Sequence, residues 1–397
     1  MSNVRTGLDN LLDPGSRLAG LAPGATVGLI AHPASVDSSL RHTVDRILED
    51  RRLRVVRLFA PEHGVRGEAQ DMETVTEIED PRTGLPVVSL YGAEEGSLRP
   101  TAESLAGLDA VVYDLQDVGS RYYTFVYTLS YVMETCALAA VPVVVLDRPN
   151  PIGGTAVEGP VLEPRLASFV GRYPIAVRHG MTTGELAAMF NQAFGIGADL
   201  RVVPMTGWRR RQYFEDTGLP WVAPSPNMPT VETAVLYPGG CLVEGTNLSE
   251  GRGTTQPFQL AGAPWIDGGL WAETMRRERL PGVGFREAWF RPGFQKHAGH
   301  SCHGICVHVR DRASFRPFAT YLVALREARR LAPESFGWRR EVYEFVGDRL
   351  AIDLLLGRED LRAMIEANAS LFEMEGSWRS DLTAFIDLRR QFLIYPE

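Results

Sequence analysis

A chain of 397 residues is longer than one typical hydrophobic core supports, so two domains are expected. Hydrophobic residues at 45% and charged residues at 23% are the proportions of a soluble globular protein. A net charge of −8 argues against the concentrated basic face that nucleic acid or an anionic membrane requires, although a few convergent arginines could still hold a small anion.

The basic residues are almost all arginine, with Lys296 the one lysine. The N-terminus, "MSNVRTGLDNLLDPGSRLAG", has no continuous apolar stretch of the secretory type. The longest apolar run, Ala137 to Leu146, is far below membrane-spanning length. Cys136, Cys241, Cys302 and Cys306 are too few for a disulfide framework in so long a chain. These features together predict a cytoplasmic protein.

In chain order, strands are predicted over Thr26–Ala31, Arg54–Ala60, Val87–Gly92, Ala110–Leu115, Val141–Asp147 and Leu200–Met205. Helix-length amphipathic segments separate them, such as "SLRHTVDRILEDRR" and "TFVYTLSYVMETCALAA". The alternation predicts an α/β domain with a mostly parallel sheet over residues 1–228. Several strands lack polar alternation, as expected when helices cover both faces. "WVAPSPNMPTVETAVLYPGG", Trp221 to Gly240, reads as an aperiodic crossing. Beyond it, residues 229–397 read as a smaller α+β domain, with a strand at "GICVHVRD" and helices at "PFATYLVALREARRL" and "DLTAFIDLRRQFLIY".

Strand after strand ends in polar residues: His32, then Glu62 and His63, then Asp114, Gln116 and Asp117, then Asp147 and Arg148. In an open parallel sheet these ends share one edge, where ligands bind. "LFAPEHGVRG" (Leu58–Gly67) is the sharpest of these ends, an acid and an imidazole followed by Arg66. "YDLQDVGSRYYTF" adds Arg121 and the aromatic residues Tyr122, Tyr123 and Phe125. "LDRPNPIGG" adds Asn150 and runs on to Glu158. The loop "VEGTNLSEGRGTTQPF" gathers Glu244, Asn247, Glu250 and Arg252 among glycines that let backbone approach a ligand closely.

Other chemistries find less support. The sequence after the first strand, "GLIAHPASVDSS", lacks the dinucleotide fingerprint, and neither a phosphate-binding loop nor a nucleophile elbow is present. No cofactor is expected. Four histidines and two cysteines crowd Lys296–His308, but without zinc-ligand spacing, so a packed strand is expected there and no metal. Thr182 and Glu185 have capping-box spacing ahead of an apolar helical run, with His179 placed near the site.

The phrases "APEHGVRG", "YDLQDVGSRYYTF", "LDRPNPIGG", "VEGPVLEP", "HGMTTGELA", "PSPNMPT" and "EGTNLSEGRGTTQPF", in this order, resemble the exo-β-N-acetylmuramidases, glycoside hydrolase family 171. The resemblance spans nearly the whole chain. It implies a Rossmann-like N-terminal domain and a smaller C-terminal one, with the active-site cleft between them. It also implies release of terminal, non-reducing N-acetylmuramic acid (MurNAc) from peptide-free glycans such as MurNAc–GlcNAc. The partner is then a small carbohydrate, and neither nucleic acid nor membrane. Relatives are often exported, whereas this N-terminus points to recycling of imported fragments.

Glycoside cleavage usually needs one carboxyl to protonate the leaving oxygen and a second as nucleophile or base. Glu62 matches the family's Glu-His position and is the candidate acid/base, with His63 to orient it. Glu158, Glu244 and Asp114 are candidates for the second group, and the substrate's 2-acetamido group is an alternative nucleophile. Arg66, Arg121, Arg148 and Arg252 are the forks available for the lactyl carboxylate of MurNAc. Gln116, Asp147, Asn150, Asn227, Asn247 and Glu250 complete the expected substrate contacts. Two rival readings are a sugar sensor without turnover and a metal-dependent muramyl amidase.

Overall fold

The computed structural model describes residues 4–67, 73 and 79–397. Its strands in chain order are β1 (Ala25–Ala31), β2 (Leu53–Ala60), β3 (Val87–Ser89), β4 (Ala110–Asp114), β5 (Val143–Leu146), β6 (Glu158–Val161), β7 (Ala176–Arg178), β8 (Leu200–Val203), β9 (Leu260–Ala263), β10 (Val283–Phe290) and β11 (Cys302–Val309).

Six of them form one parallel sheet in the order β3-β2-β1-β4-β5-β8. Every residue of β4 and β5 is buried, which is why their sequences carry no polar alternation. The helices Thr43–Asp50, Phe125–Ala139 and Thr183–Ala193 belong to the crossovers between these strands. The last opens with the capping box read from the sequence: Glu185 N–H donates to Thr182 Oγ1 at 3.3 Å and Thr182 N–H to Glu185 Oε2 at 3.0 Å. This is a Rossmann-like α/β domain. The chain leaves β1 toward β2 on one side and returns to β4 on the other. The loops after these strands therefore diverge and open a crevice at the carboxyl edge.

The second half is smaller. Its three-stranded antiparallel sheet, ordered β10-β11-β9, packs with helices Gly268–Arg277 and Pro317–Leu331. The short antiparallel pair β6–β7 lies against the long helix Leu371–Arg389. Apolar packing is continuous between the halves: Val111 and Val143 of the sheet share one core with Leu236, Phe318 and Trp378.

The expected aperiodic crossing is shorter than its sequence suggests. A helix runs from Val231 to Gly240, started by Thr230 Oγ1 accepting the N–H of Thr233 at 3.1 Å. Its closing Pro238-Gly239-Gly240 looks like a helix breaker. Burial overrides that preference, and Gly239 permits the contact, since a Cβ there would lie 2.0 Å from the carbonyl oxygen of Pro317. Among the described residues no helix is long and apolar enough to cross a membrane, and no three His, Cys, Asp or Glu side chains group as a metal site would need.

Candidate active site

Strand β2 runs out of apolar residues at Ala60 and the chain turns at once. His63 and Gly64 both adopt left-handed backbone, with φ of +73° and +80°. Glycine does so freely, whereas His63 carries a strain of about 1–2 kcal/mol that its surroundings must hold. The turn leaves Glu62 buried at 6% exposure, beside His63 at 5%. Thr124, at the start of helix Phe125–Ala139, donates its hydroxyl to Glu62 Oε2 at 2.7 Å. The Phe125 ring meets His63 edge-on at 6.5 Å. A residue from the loop after β4 thus orients the acid that follows β2, across the crevice.

Glu62 and His63 line a pocket whose walls come from both halves of the chain. One wall is aromatic: Tyr123 packs edge-on against Phe125 at 4.9 Å and Tyr237 at 5.9 Å, and Tyr237 against Phe258 at 4.8 Å. Burial, with help from the neighbouring Glu62 charge, pushes the Tyr123 phenol well above its ordinary value, so it stays an O–H donor. Ser225, Asn227 and Met228 of the proline-rich crossing complete the near side.

The glycine-rich loop and residues 343–344 also contribute to the lining. Glu244 accepts at both oxygens, from Arg252 Nη2 at 2.8 Å and from the Tyr343 hydroxyl at 2.7 Å. Arg252 also faces Glu250 at 3.4 Å and stands 5.0 Å above the Phe258 ring. Burial works against the Glu250 charge, but Lys296 and Arg252 outweigh it and hold the carboxyl below its usual range. Glu344 accepts from the Tyr91 hydroxyl at 3.2 Å.

The pocket therefore unites Glu62, His63, Asn227, Glu244 and Arg252, with Glu250 just behind. The other candidates stand outside its lining, each occupied with a partner. Arg148 clamps Asp114 bidentately, Nε at 2.6 Å and Nη2 at 2.8 Å, both fully buried or nearly so. Gln116 donates to the carbonyls of Asp117 and Pro149, both at 2.8 Å. Asp147 accepts from Thr182 at 2.7 Å and the Gly184 N–H at 2.8 Å, and from Tyr395; burial pushes its carboxyl up to about 6. Asn150 donates to the Met181 carbonyl at 2.9 Å and accepts from the Ile152 N–H at 3.1 Å.

Arg121 is spent on the carbonyls of Pro160 and Leu355, at 3.0 and 2.6 Å. Asn247 ties the glycine-rich loop to Ser335 and Gly337, at 2.7 and 2.9 Å. Arg66 makes two 2.8 Å bonds to Asp80. Glu158 accepts the Ala319 N–H at 2.9 Å and borders a separate pocket with Arg178, Arg316 and Trp378, where burial raises its pKa. His179 lies fully buried, 3.5 Å from Asp117. The geometry gives these residues supporting positions, because a charge buried among strand ends must find a partner and here the partner is protein.

Thr124, Tyr237, Phe258, Tyr343 and Glu344 were not singled out by the sequence reading. The only sequence signal for Tyr343 and Glu344 is a polar–aromatic phrase, "EVYEF", indistinguishable from an ordinary loop.

Comparison with known proteins agrees along the whole chain. Residues 27–232 match the family model for the N-terminal part of the exo-β-N-acetylmuramidase NamZ, and residues 235–395 match that for its C-terminal part. The peptidoglycan β-N-acetylmuramidase NamZ of Bacillus subtilis (strain 168) is 46% identical over 392 residues, 99% of this chain and 91% of that one. Two crystal structures of DUF1343 family proteins from Bacteroides fragilis NCTC 9343 superpose over 100% of both chains. Their TM-scores are 0.87 and 0.76, at 32% and 28% identity. With both halves matched in order and the fold shared throughout, this chain belongs to the exo-β-N-acetylmuramidase family of glycosidases.

Proposed function

We propose that the enzyme releases a single MurNAc from the non-reducing end of peptide-free peptidoglycan fragments, MurNAc–GlcNAc among them. The observation that carries this reading is one aromatic-walled pocket lined by Glu62 from the first half of the chain and Glu244 from the second. Aromatic rings flanked by carboxyl and amide groups suit a sugar, whose C–H faces pack on rings while its hydroxyls bond the polar rim.

Glu62, oriented by Thr124, protonates the glycosidic oxygen as the bond to the leaving sugar breaks, and later takes a proton from the attacking water. His63 stands beside it as an orienting neighbour. Glu244 is the second carboxyl. Its two oxygens are already engaged by Arg252 and Tyr343, which suits a group that stabilises positive charge at the anomeric carbon and polarises the 2-acetamido group. Glu158 faces a different pocket and is not assigned a chemical step.

Of the four arginines considered for the lactyl carboxylate, Arg252 is the one that lines this pocket, so it takes that assignment. Asn227 contacts the sugar from the near side. Asp114, Gln116, Arg121, Asp147, Arg148, Asn150 and Asn247 lie outside the pocket lining and hold the surrounding strand ends and loops together. Four buried free thiols support a reducing, cytoplasmic setting.

A glycan of several MurNAc–GlcNAc units, reduced and isotope-labelled at its reducing end, tests the exo mode. Free unlabelled MurNAc should accumulate while the label stays on a glycan shortened from the other end. Short labelled reducing-end fragments together with unlabelled oligosaccharides in the earliest samples would contradict it.

A further inference from the structure

Among 41 lysine and arginine residues, Lys296 is the one lysine, and it is not on the surface doing a generic job. The three N–H donors of its ammonium are shared among four oxygens, the carbonyls of Val243 at 3.1 Å, Glu244 at 3.3 Å and Leu248 at 3.0 Å, and Glu250 Oε2 at 2.9 Å. Four oxygens converging on one nitrogen demand a compact ammonium. A guanidinium spreads its donors across a plane and cannot fill that space.

The backbone is contorted to deliver this group. Gln295 and His297, the residues on either side, both hold left-handed backbone, with φ of +65° and +58°. Two non-glycine residues in that region mark a segment whose conformation is imposed by its contacts. One contact is His297 Nε2 to the Asn247 carbonyl at 2.8 Å. Another is Gly253, at φ +75°, where a Cβ would sit 2.7 Å from the Phe294 nitrogen and push the two loops apart. The segment carrying Lys296 is thus pressed onto the glycine-rich loop that carries Glu244, Glu250 and Arg252.

The charges in this cluster balance. Glu244 and Glu250 are set against Arg252 and Lys296, with Arg252 2.8 Å from Glu244 and 3.4 Å from Glu250. With Lys296 removed, Arg252 would face two carboxylates alone, and its field toward the pocket would be cancelled. An anionic sugar would then meet a wall one charge more negative.

We infer that Lys296 is a positioning residue for the muramidase reaction: it fixes the glycine-rich loop and neutralises Glu250, leaving the charge of Arg252 to recognise the carboxylate of the substrate. This rests on the assignment of Arg252 to the lactyl group.

The test compares kcat/KM for MurNAc–GlcNAc and for its lactyl methyl ester, which is uncharged and larger by one methyl group. Wild type, Lys296→Met, Lys296→Arg and the double variant Lys296→Met/Glu250→Gln are measured side by side as full chains. Wild type should prefer the acid over the ester. Lys296→Met should lose that preference by about tenfold or more, since the field of a half-buried charge is removed, while the ester rate changes much less. Lys296→Arg, which keeps the charge without the compact ammonium, should restore it only in part. The double variant, again balanced in charge, should recover most of the preference, and it serves if the single variants fold poorly.

Equal losses on acid and ester would reduce Lys296 to a scaffold and overturn the inference, as would full rescue by arginine or a double variant no better than the single. A wild type indifferent to esterification would instead bring down the Arg252 assignment, and the inference with it.

Discussion

Replacing Thr124 with valine removes one hydroxyl and leaves the shape of the side chain almost unchanged. That hydroxyl is the donor to Glu62 Oε2, at 2.7 Å and in a position only 7% exposed, so water cannot readily take its place. A buried hydrogen bond to a carboxyl group contributes roughly 1–3 kcal/mol, from a neutral acceptor to an ionised one. If the bond serves to aim Glu62 at the glycosidic oxygen, the loss appears in the transition state. At 1.4 kcal/mol per factor of ten, kcat should fall about 5- to 150-fold. KM should move much less, because Thr124 holds the acid and not the sugar. Steady-state release of MurNAc from MurNAc–GlcNAc, beside thermal unfolding of the same samples, separates the two effects. Thr124→Ser keeps the donor and should stay close to wild type. Valine with undiminished kcat would refute the claim that Thr124 orients the acid.

Three further outcomes follow from the same geometry. Tyr343→Phe removes one of the two donors to Glu244 and should lower kcat/KM about tenfold, with Glu244→Gln lower still in the same assay. Arg148→Met leaves Asp114 buried without its bidentate partner and should destabilise the fold by about 3–5 kcal/mol, read from denaturant midpoints, while whatever folds retains its kcat. Asp147 has a folded pKa raised to about 6, above its unfolded value, so the native state holds the proton more tightly. Its contribution to stability is therefore fully present below about pH 4 and is lost as pH rises toward 6, by about 3 kcal/mol. Denaturation curves across that window should show this slope in wild type and a flatter one in Asp147→Asn.

The sheet was legible because its strands are short β-branched runs buried on both faces, a pattern that few other structures produce. The helix Val231–Gly240 was not, since Pro238-Gly239-Gly240 signals a break and only the tertiary contact with Pro317 reverses the signal. Glu62 and His63 could be picked out as a polar pair closing an apolar strand. The roles of Asp114 and Arg148 could not be separated from theirs by the same reasoning. A strand-end carboxylate facing a ligand and one clamped by an arginine read identically, and only packing tells them apart. Likewise the sequence shows that Lys296 is the one lysine, but not that its neighbours adopt left-handed backbone to present it. Tyr343 and Glu344 lie about a hundred residues beyond the glycine-rich loop they join, a distance at which local pattern carries no information.

If Glu62 is the acid of a muramidase, removing its proton while keeping its shape should stop the reaction. Wild type and Glu62→Gln are incubated with MurNAc–GlcNAc, and free MurNAc is followed by mass spectrometry. Wild type should release MurNAc and the variant should be about 10²–10⁴-fold slower, the size of a general acid's contribution, with disaccharide binding retained. A variant that releases MurNAc at the wild-type rate would contradict the account.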